Sequence, residues 1–182
     1  IAKTLKLNVM GYSFHVGSNC SSEGTYYEAL RTVREAVDIA AKLDISITMV
    51  DIGGGFRGVD GPGVKFVDIA KKINEGIVDF FPNREEQGIE FMAEPGRYFA
   101  QRTHTLVMNV IGKKIIMDND EKTIVYYLND GIYGSFNCIM FDHERPTILP
   151  FNERNEKQFR SRLFGPTCDS IDMISEDVML PE

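Results

Sequence analysis

"ITMVDIGGGF" (Ile47–Phe56) decides how the rest of the chain reads. Its first six residues are a short, nearly continuous apolar run, the pattern of a strand buried on both faces in a parallel sheet. Gly53, Gly54 and Gly55 follow directly. Glycine costs backbone entropy, so such a run belongs where torsions are unusual or another group comes close. Two explanations fit. One is a tight turn from strand to helix. The other is a cradle of bare N–H groups around an anion, most often phosphate.

Two further apolar runs, "VMGYSFHV" (Val9–Val16) and "IEFMA" (Ile89–Ala93), flank this one. Between the runs the periodicity becomes helical. Tyr26, Leu30, Val33, Val37, Ala40 and Ala41 fall on one face, with Ser22 as a candidate cap and Glu23 in the first turn. Phe66, Ile69, Ile73, Ile77 and Phe80 make a second helical face, which Pro82 ends. Strand and helix in alternation are the grammar of a parallel α/β fold. After about Thr103 the grammar changes. "HTLVMNVIGKKIIM", a turn at Asp118–Asp120 and "TIVYYLN" predict a long hairpin, and "FRSRLFGPTCDS" a further strand ending in a loop. No amphipathic helix is expected there. The reading is two domains, 1–102 and 103–182.

Composition bounds the function. The chain has 182 residues, 43% hydrophobic and 26% charged, with no apolar run long enough for a bilayer. A net charge of −7 argues against nucleic-acid and membrane-surface roles. Cys20, Cys138 and Cys168 lack CxxC spacing, so neither a disulfide framework nor a metal site is expected. Such cysteine usage fits a reducing, cytoplasmic setting. The chain opens at Ile1 without an initiator Met, which reads as an internal piece of something longer.

The unusual polar residues of the first half follow the carboxyl ends of the expected strands. His15, Gly17 and Ser18 follow the first, Gly53 to Gly55 the second, and Glu94, Gly96 and Arg97 the third. In parallel α/β folds that edge binds ligands, and in eight-stranded barrels the late loops often hold a phosphate. Each feature alone has a plainer reading. A lone His suits a hydrogen-bonded core position, "EPGR" suits a helix start with Pro95 near its first position, and Cys168 suits an inert turn. In order along one edge, they point to a phosphate-bearing ligand.

"FHVGS", "DIGGGF", "EPGRY", "NDGIYGSFN" and "GPTCDS", in this order and spacing, resemble the fold-type III pyridoxal-phosphate-dependent decarboxylases. The eukaryotic ornithine decarboxylases are the most similar branch. The resemblance covers essentially the whole chain. It implies an α/β fold made of the last three βα units of a (β/α)8 TIM barrel of alanine-racemase type, followed by part of a C-terminal β-domain. A full barrel takes about 250 residues, more than this chain holds. The resemblance further implies decarboxylation of L-ornithine to putrescine, by a homodimer whose active sites are shared between subunits, with antizyme as a regulatory partner.

Residue roles follow from the same resemblance. Glu94 would sit beside the ring nitrogen of pyridoxal 5'-phosphate, whose protonation makes the ring an electron sink. Gly53, Gly54, Gly55, Arg97 and Ser18 would hold the phosphate, and His15 would stack on the ring. Asp142 and Asp169 would bind the distal ammonium of the substrate, and Cys168 would protonate Cα from the partner subunit. Asp51 reads as a supporting neighbour. The lysine that binds the cofactor covalently is expected upstream of Ile1, and the phosphate-contacting tyrosine beyond Glu182.

Two departures stand out: Phe141 where many animal members carry Tyr, and a short loop over Asp118–Glu121. Lysine and arginine decarboxylases fit the same motifs. Diaminopimelate enzymes fit less well, because their distal carboxylate would be repelled by two aspartates. A racemase on the same barrel is disfavoured by the same pair. A non-catalytic homologue of the antizyme-inhibitor type tends to lose the Arg of "EPGR" and the Asn-Asp of "NDG", here kept as Arg97, Asn129 and Asp130.

Overall fold

The computed structural model describes residues 1–60, 63–151 and 156–182. The chain divides into two compact units, Ile1–His104 and Thr105–Glu182.

The first unit holds three parallel strands in the order β1-β2-β3. These are β1 (Gly11–Ser13), β2 (Met49–Asp51) and β3 (Glu90–Met92), with Tyr12 opposite Val50 and Val50 opposite Phe91. Each keeps only three residues of the longer apolar run expected from sequence. The shortfall has a local cause in β2, where Gly53 turns to φ +65° two residues after the strand ends. Burial on both faces also needs correcting. Glu90 and Met92 of β3 are exposed, and Phe91 alone of that strand is partly covered.

Helices α1 (Thr25–Lys42) and α2 (Phe66–Phe80) connect the strands, and α3 (Gly96–Ala100) follows β3. Tyr26, Leu30, Val33, Val37 and Ala40 of α1 are buried as their spacing requires, while Ala41 is exposed. They share a core with Val50, Ile52, Ile69, Ile73 and Phe81. Full burial of each such large side chain contributes roughly 1.5–3 kcal/mol. Gly76 of α2 lets the helices meet: a Cβ there would lie 2.9 Å from Leu30 Cδ1. Ser22 does not cap α1. Gly24 takes that position without a side-chain bond, and the Ser22 carbonyl accepts from the Cys20 thiol. Tyr26 fixes the helix start instead, stacking on Phe56 and donating to the Gly54 carbonyl at 2.8 Å.

The second unit is a four-stranded sheet in the order β4-β5-β6-β7. Strands β4 (Val110–Asp118) and β5 (Glu121–Leu128) form the hairpin, with Asn119 and Asp120 at positive φ in its turn. β5 then pairs in parallel with β6 (Gln158–Phe164), and β6 pairs antiparallel with β7 (Met173–Pro181). One short helix, α4 (Cys138–Phe141), interrupts the connection from β5 to β6, where no helix was expected. Ile124, Leu128, Ile132, Phe136, Leu163 and Ile174 form the core. Among the described residues, no helix is long and apolar enough to cross a membrane, and no His/Cys/Asp/Glu cluster could hold a metal.

Candidate active site

The three loops beyond β1, β2 and β3 are laced together through the glycine run. Asp51, at the end of β2 and only 7% exposed, accepts the Gly53 N–H at 2.8 Å. The Gly53 carbonyl in turn accepts the Glu94 N–H at 2.8 Å. Gly55 receives the Cys20 N–H on its carbonyl at 3.0 Å. The glycines are therefore required one by one. A Cβ on Gly53 would lie 2.1 Å from the Phe14 carbonyl oxygen, and one on Gly55 2.4 Å from that of Gly17. Both also sit at positive φ, which disfavours any side chain.

Gly54 is different. Its φ is ordinary, yet a Cβ there would meet the Glu94 carbonyl at 2.8 Å and His15 Nε2 at 3.1 Å. Gly54 is buried, and its N–H donates to no acceptor among the described residues. A buried backbone donor without a partner is rare and calls for a ligand or water. Gly53 and Gly55 make the turn, while Gly54, whose Cβ position lies against His15, carries the unpaired donor.

The polar residues expected at this edge do converge. Arg97, in the first turn of α3, donates from Nη2 to Ser18 Oγ at 3.0 Å, joining the first and third loops. His15 is held by its own loop, Nδ1 accepting the Gly17 N–H at 2.9 Å. Its other ring nitrogen lies toward Gly54. His15, Ser18 and Glu94 are all exposed, as an open ligand-binding edge requires. A guanidinium, a hydroxyl and an unpartnered N–H are the donor set that a phosphate dianion takes. These residues fit pyridoxal 5'-phosphate.

Asp142, Cys168 and Asp169 all lie in the second unit. Asp142 ends α4, partly buried. Cys168 is exposed in the loop between β6 and β7. Beside it, Asp169 Oδ2 accepts the Tyr133 hydroxyl at 2.5 Å, and Oδ1 accepts the Ile171 N–H at 2.9 Å. The Tyr133 bond first, then the Ile171 N–H, hold the Asp169 carboxyl below the usual range. It stays an anion at neutral pH. Tyr133 is a residue that sequence reasoning missed, since an aromatic in a glycine-rich loop carries no signal of its partner.

Asn129 and Asp130 build the loop after β5. Asn129 Oδ1 accepts the Asn109 N–H, and Asp130 Oδ1 accepts those of Gly131 at 2.8 Å and Ser135 at 3.1 Å. Hydrogen bonds from the Ser135 side chain, then from the Ser135 and Gly131 backbone, hold Asp130 below its ordinary value. The sign follows from linkage. An unfolded Asp titrates near ~3.9, so this contribution to stability is fully present above that value and is lost as pH falls through the lower folded one. Asp130→Asn should therefore lower the melting temperature at pH 7 and flatten its decline between about pH 5 and 3. Thermal melts across that range check it. An acid limb of unchanged steepness would remove Asp130 from the account.

Three comparisons bear on this site. Residues 1–101 match the family model of the pyridoxal-dependent decarboxylases, pyridoxal binding domain. Over the whole chain, identity is 40% to an ornithine decarboxylase of Cricetulus griseus, covering 41% of that protein. It is also 40% to an antizyme inhibitor 2 of Xenopus laevis, covering 42% of it. The arginine decarboxylase of Paramecium bursaria Chlorella virus superposes on the whole chain with a TM-score of 0.84 at 36% identity, over 47% of its own length. The chain thus spans about two fifths of the curated relatives it matches.

Proposed function

The chain belongs to the pyridoxal-dependent decarboxylases, and from that premise we propose that it serves, within the whole protein, the decarboxylation of L-ornithine to putrescine. Its cofactor is pyridoxal 5'-phosphate. When bound, that group draws electrons from the substrate Cα, so that the bond to the carboxylate can break. In this proposal the first unit supplies the end of the (β/α)8 barrel, and its residues act on the cofactor. Arg97, Ser18 and the Gly54 N–H hold the phosphate. Glu94 keeps the proton on the ring nitrogen, and His15 covers the ring face. Asp51 holds the glycine loop in shape through the Gly53 N–H.

The second unit acts on the substrate. Asp169 and Asp142 fix the distal ammonium by charge-assisted hydrogen bonds. The Cys168 thiol gives its proton to Cα once carbon dioxide has left. Cys168 and Asp169 come from the partner subunit, so the working site is that of a homodimer. The observation that carries the reading is Asp169: an exposed carboxylate, locked by Tyr133 and kept ionised, directly beside the cysteine. Such a group suits a cationic side chain and would repel an anionic one.

Lysine and arginine decarboxylation share this chemistry, and the similarity to a viral arginine decarboxylase favours keeping them in the test. The similarity to an antizyme inhibitor favours a non-catalytic second reading, in which the whole protein binds antizyme. Against it stands the Arg97–Ser18 contact, which keeps the phosphate donors together. Release of carbon dioxide from ornithine, lysine and arginine by the full-length protein tests all of these. We expect kcat/KM for ornithine to exceed that for lysine by about tenfold or more, the usual worth of one methylene. A reversed order would move the assignment to lysine or arginine. Cofactor binding without turnover of any of the three would favour the antizyme-inhibitor reading.

A further inference from the structure

A fully enclosed carboxylate in the second unit has no role in the scheme above. Asp172 is 0% exposed. Its Oδ1 accepts the Ile132 N–H at 2.8 Å, and its Oδ2 accepts both the Thr167 N–H at 3.0 Å and the Thr167 hydroxyl at 2.7 Å. Ile132 belongs to the loop after β5 and Thr167 to the loop after β6, so one carboxylate fastens two loops. Its backbone fastens the second loop again, accepting the Gly165 N–H at 2.8 Å and donating to the Asp169 carbonyl at 3.1 Å.

The two loops are shaped around this carboxylate. A Cβ on Gly131 would lie 2.1 Å from Asp172 Oδ1, and one on Gly165 2.3 Å from the same atom. Neither position has room for a side chain while Asp172 stays. Burial alone would raise the Asp172 carboxyl, but the Thr167 and Ile132 donors outweigh it and leave it lowered. A buried anion held by neutral donors loses heavily when one is removed.

Cys168 and Asp169 are the next residues after Thr167, and Tyr133, which holds Asp169, is the next after Ile132. The Thr167 hydroxyl, while donating to Asp172, also accepts the Asp169 N–H at 3.4 Å. Every residue expected to touch the distal end or Cα of the substrate in this loop is therefore one step from the Asp172 clamp. We propose that Asp172 is a positioning residue: through Thr167 and Ile132 it sets the loop that carries Cys168 and Asp169, and so the placement of proton donor and ammonium acceptor. The inference rests on the decarboxylase reading given above.

Thr167 separates positioning from mere folding, because its two replacements differ in one hydroxyl. In the full-length protein, Thr167→Val keeps the shape and the backbone N–H bond but removes the hydroxyl donor to Asp172, whereas Thr167→Ser keeps that hydroxyl. We expect Thr167→Val and Asp172→Asn to lower kcat/KM for ornithine about ten- to hundredfold, the scale of a small misplacement at a reacting centre. Thr167→Ser should stay within about twofold of wild type, and the Kd for pyridoxal phosphate should be unchanged in all three, since none of the residues proposed to hold it belongs to these two loops.

Amide hydrogen exchange gives a readout independent of turnover. In Thr167→Val it should quicken about tenfold over Gly131–Tyr133 and Thr167–Ile171, while β6 and β7 keep their protection. Wild-type kinetics and protection in Thr167→Val would overturn the proposal. So would loss of protection throughout the unit, or equal loss in Thr167→Ser, either of which reduces Asp172 to a general fold role. A wild-type protein that decarboxylates nothing would end the functional reading alone, and the exchange comparison would then decide whether Asp172 sets the loop.

Discussion

Mixing a full-length Cys168→Ala protein with a full-length Glu94→Ala/Arg97→Ala protein, each nearly inactive alone, is expected to return about a quarter of wild-type decarboxylase activity. In the proposed dimer each site takes Glu94 and Arg97 from one chain and Cys168 from the other. In the Cys168→Ala homodimer both sites lack the proton donor. In the double-variant homodimer both sites lack the phosphate cation and the ring-nitrogen partner. A mixed dimer has one site with both defects and one with none. Random exchange of equal amounts makes about half the dimers mixed, each with one good site of two, which gives the quarter. Steady-state rates after subunit exchange, read against the mixing ratio, test it. If Cys168 serves its own chain, every site stays defective at every ratio and no activity returns. Recovery would also exclude Cys168 as an inert turn residue, since an inert residue leaves no defect to complement.

What could be read from the residues in advance was what depends on near neighbours. The apolar face of α1 follows from 3.6-residue spacing, and the polar edge beyond β1 to β3 follows from where each apolar run stops. Ser22 was the wrong cap for the opposite reason. The start of α1 is fixed by Tyr26 against Phe56 and Gly54, partners that lie far along the chain. Asn129 and Asp130 read as marks of activity, yet both are bonded to backbone N–H groups that shape their own loop. Keeping them therefore speaks for the loop as much as for chemistry. Asp172 was invisible. In "CDSIDMI" it looks like a solvated acid before a strand, and its partner Ile132 lies 40 residues away. A buried carboxylate is defined by what surrounds it, and nothing local announces that.

Arg97 and Glu94 stand three residues apart after β3, and their replacements are expected to fail in different ways. Arg97 reaches Ser18, so its guanidinium sits where the cofactor phosphate is proposed to lie. Arg97→Ala removes one charge-assisted contact to a dianion, worth on the order of 1.5–3 kcal/mol. That corresponds to a Kd for pyridoxal phosphate raised roughly 10- to 150-fold. At saturating cofactor much of the turnover should return, with the order of substrate preference unchanged. Glu94 is placed by its backbone, which bonds Gly53 and Gly96, so Glu94→Gln leaves the loop and the phosphate donors in position. Its amide still reaches the ring but no longer stabilises the proton on the ring nitrogen. Cofactor affinity should change little, while kcat falls and added cofactor does not restore it. Titrating pyridoxal phosphate into both variants, with kcat measured at saturation, separates the two roles. Equal losses of affinity would mean that Glu94 holds the cofactor rather than tuning it. A Glu94→Gln protein with wild-type kcat would leave the ring proton without a keeper in this chain.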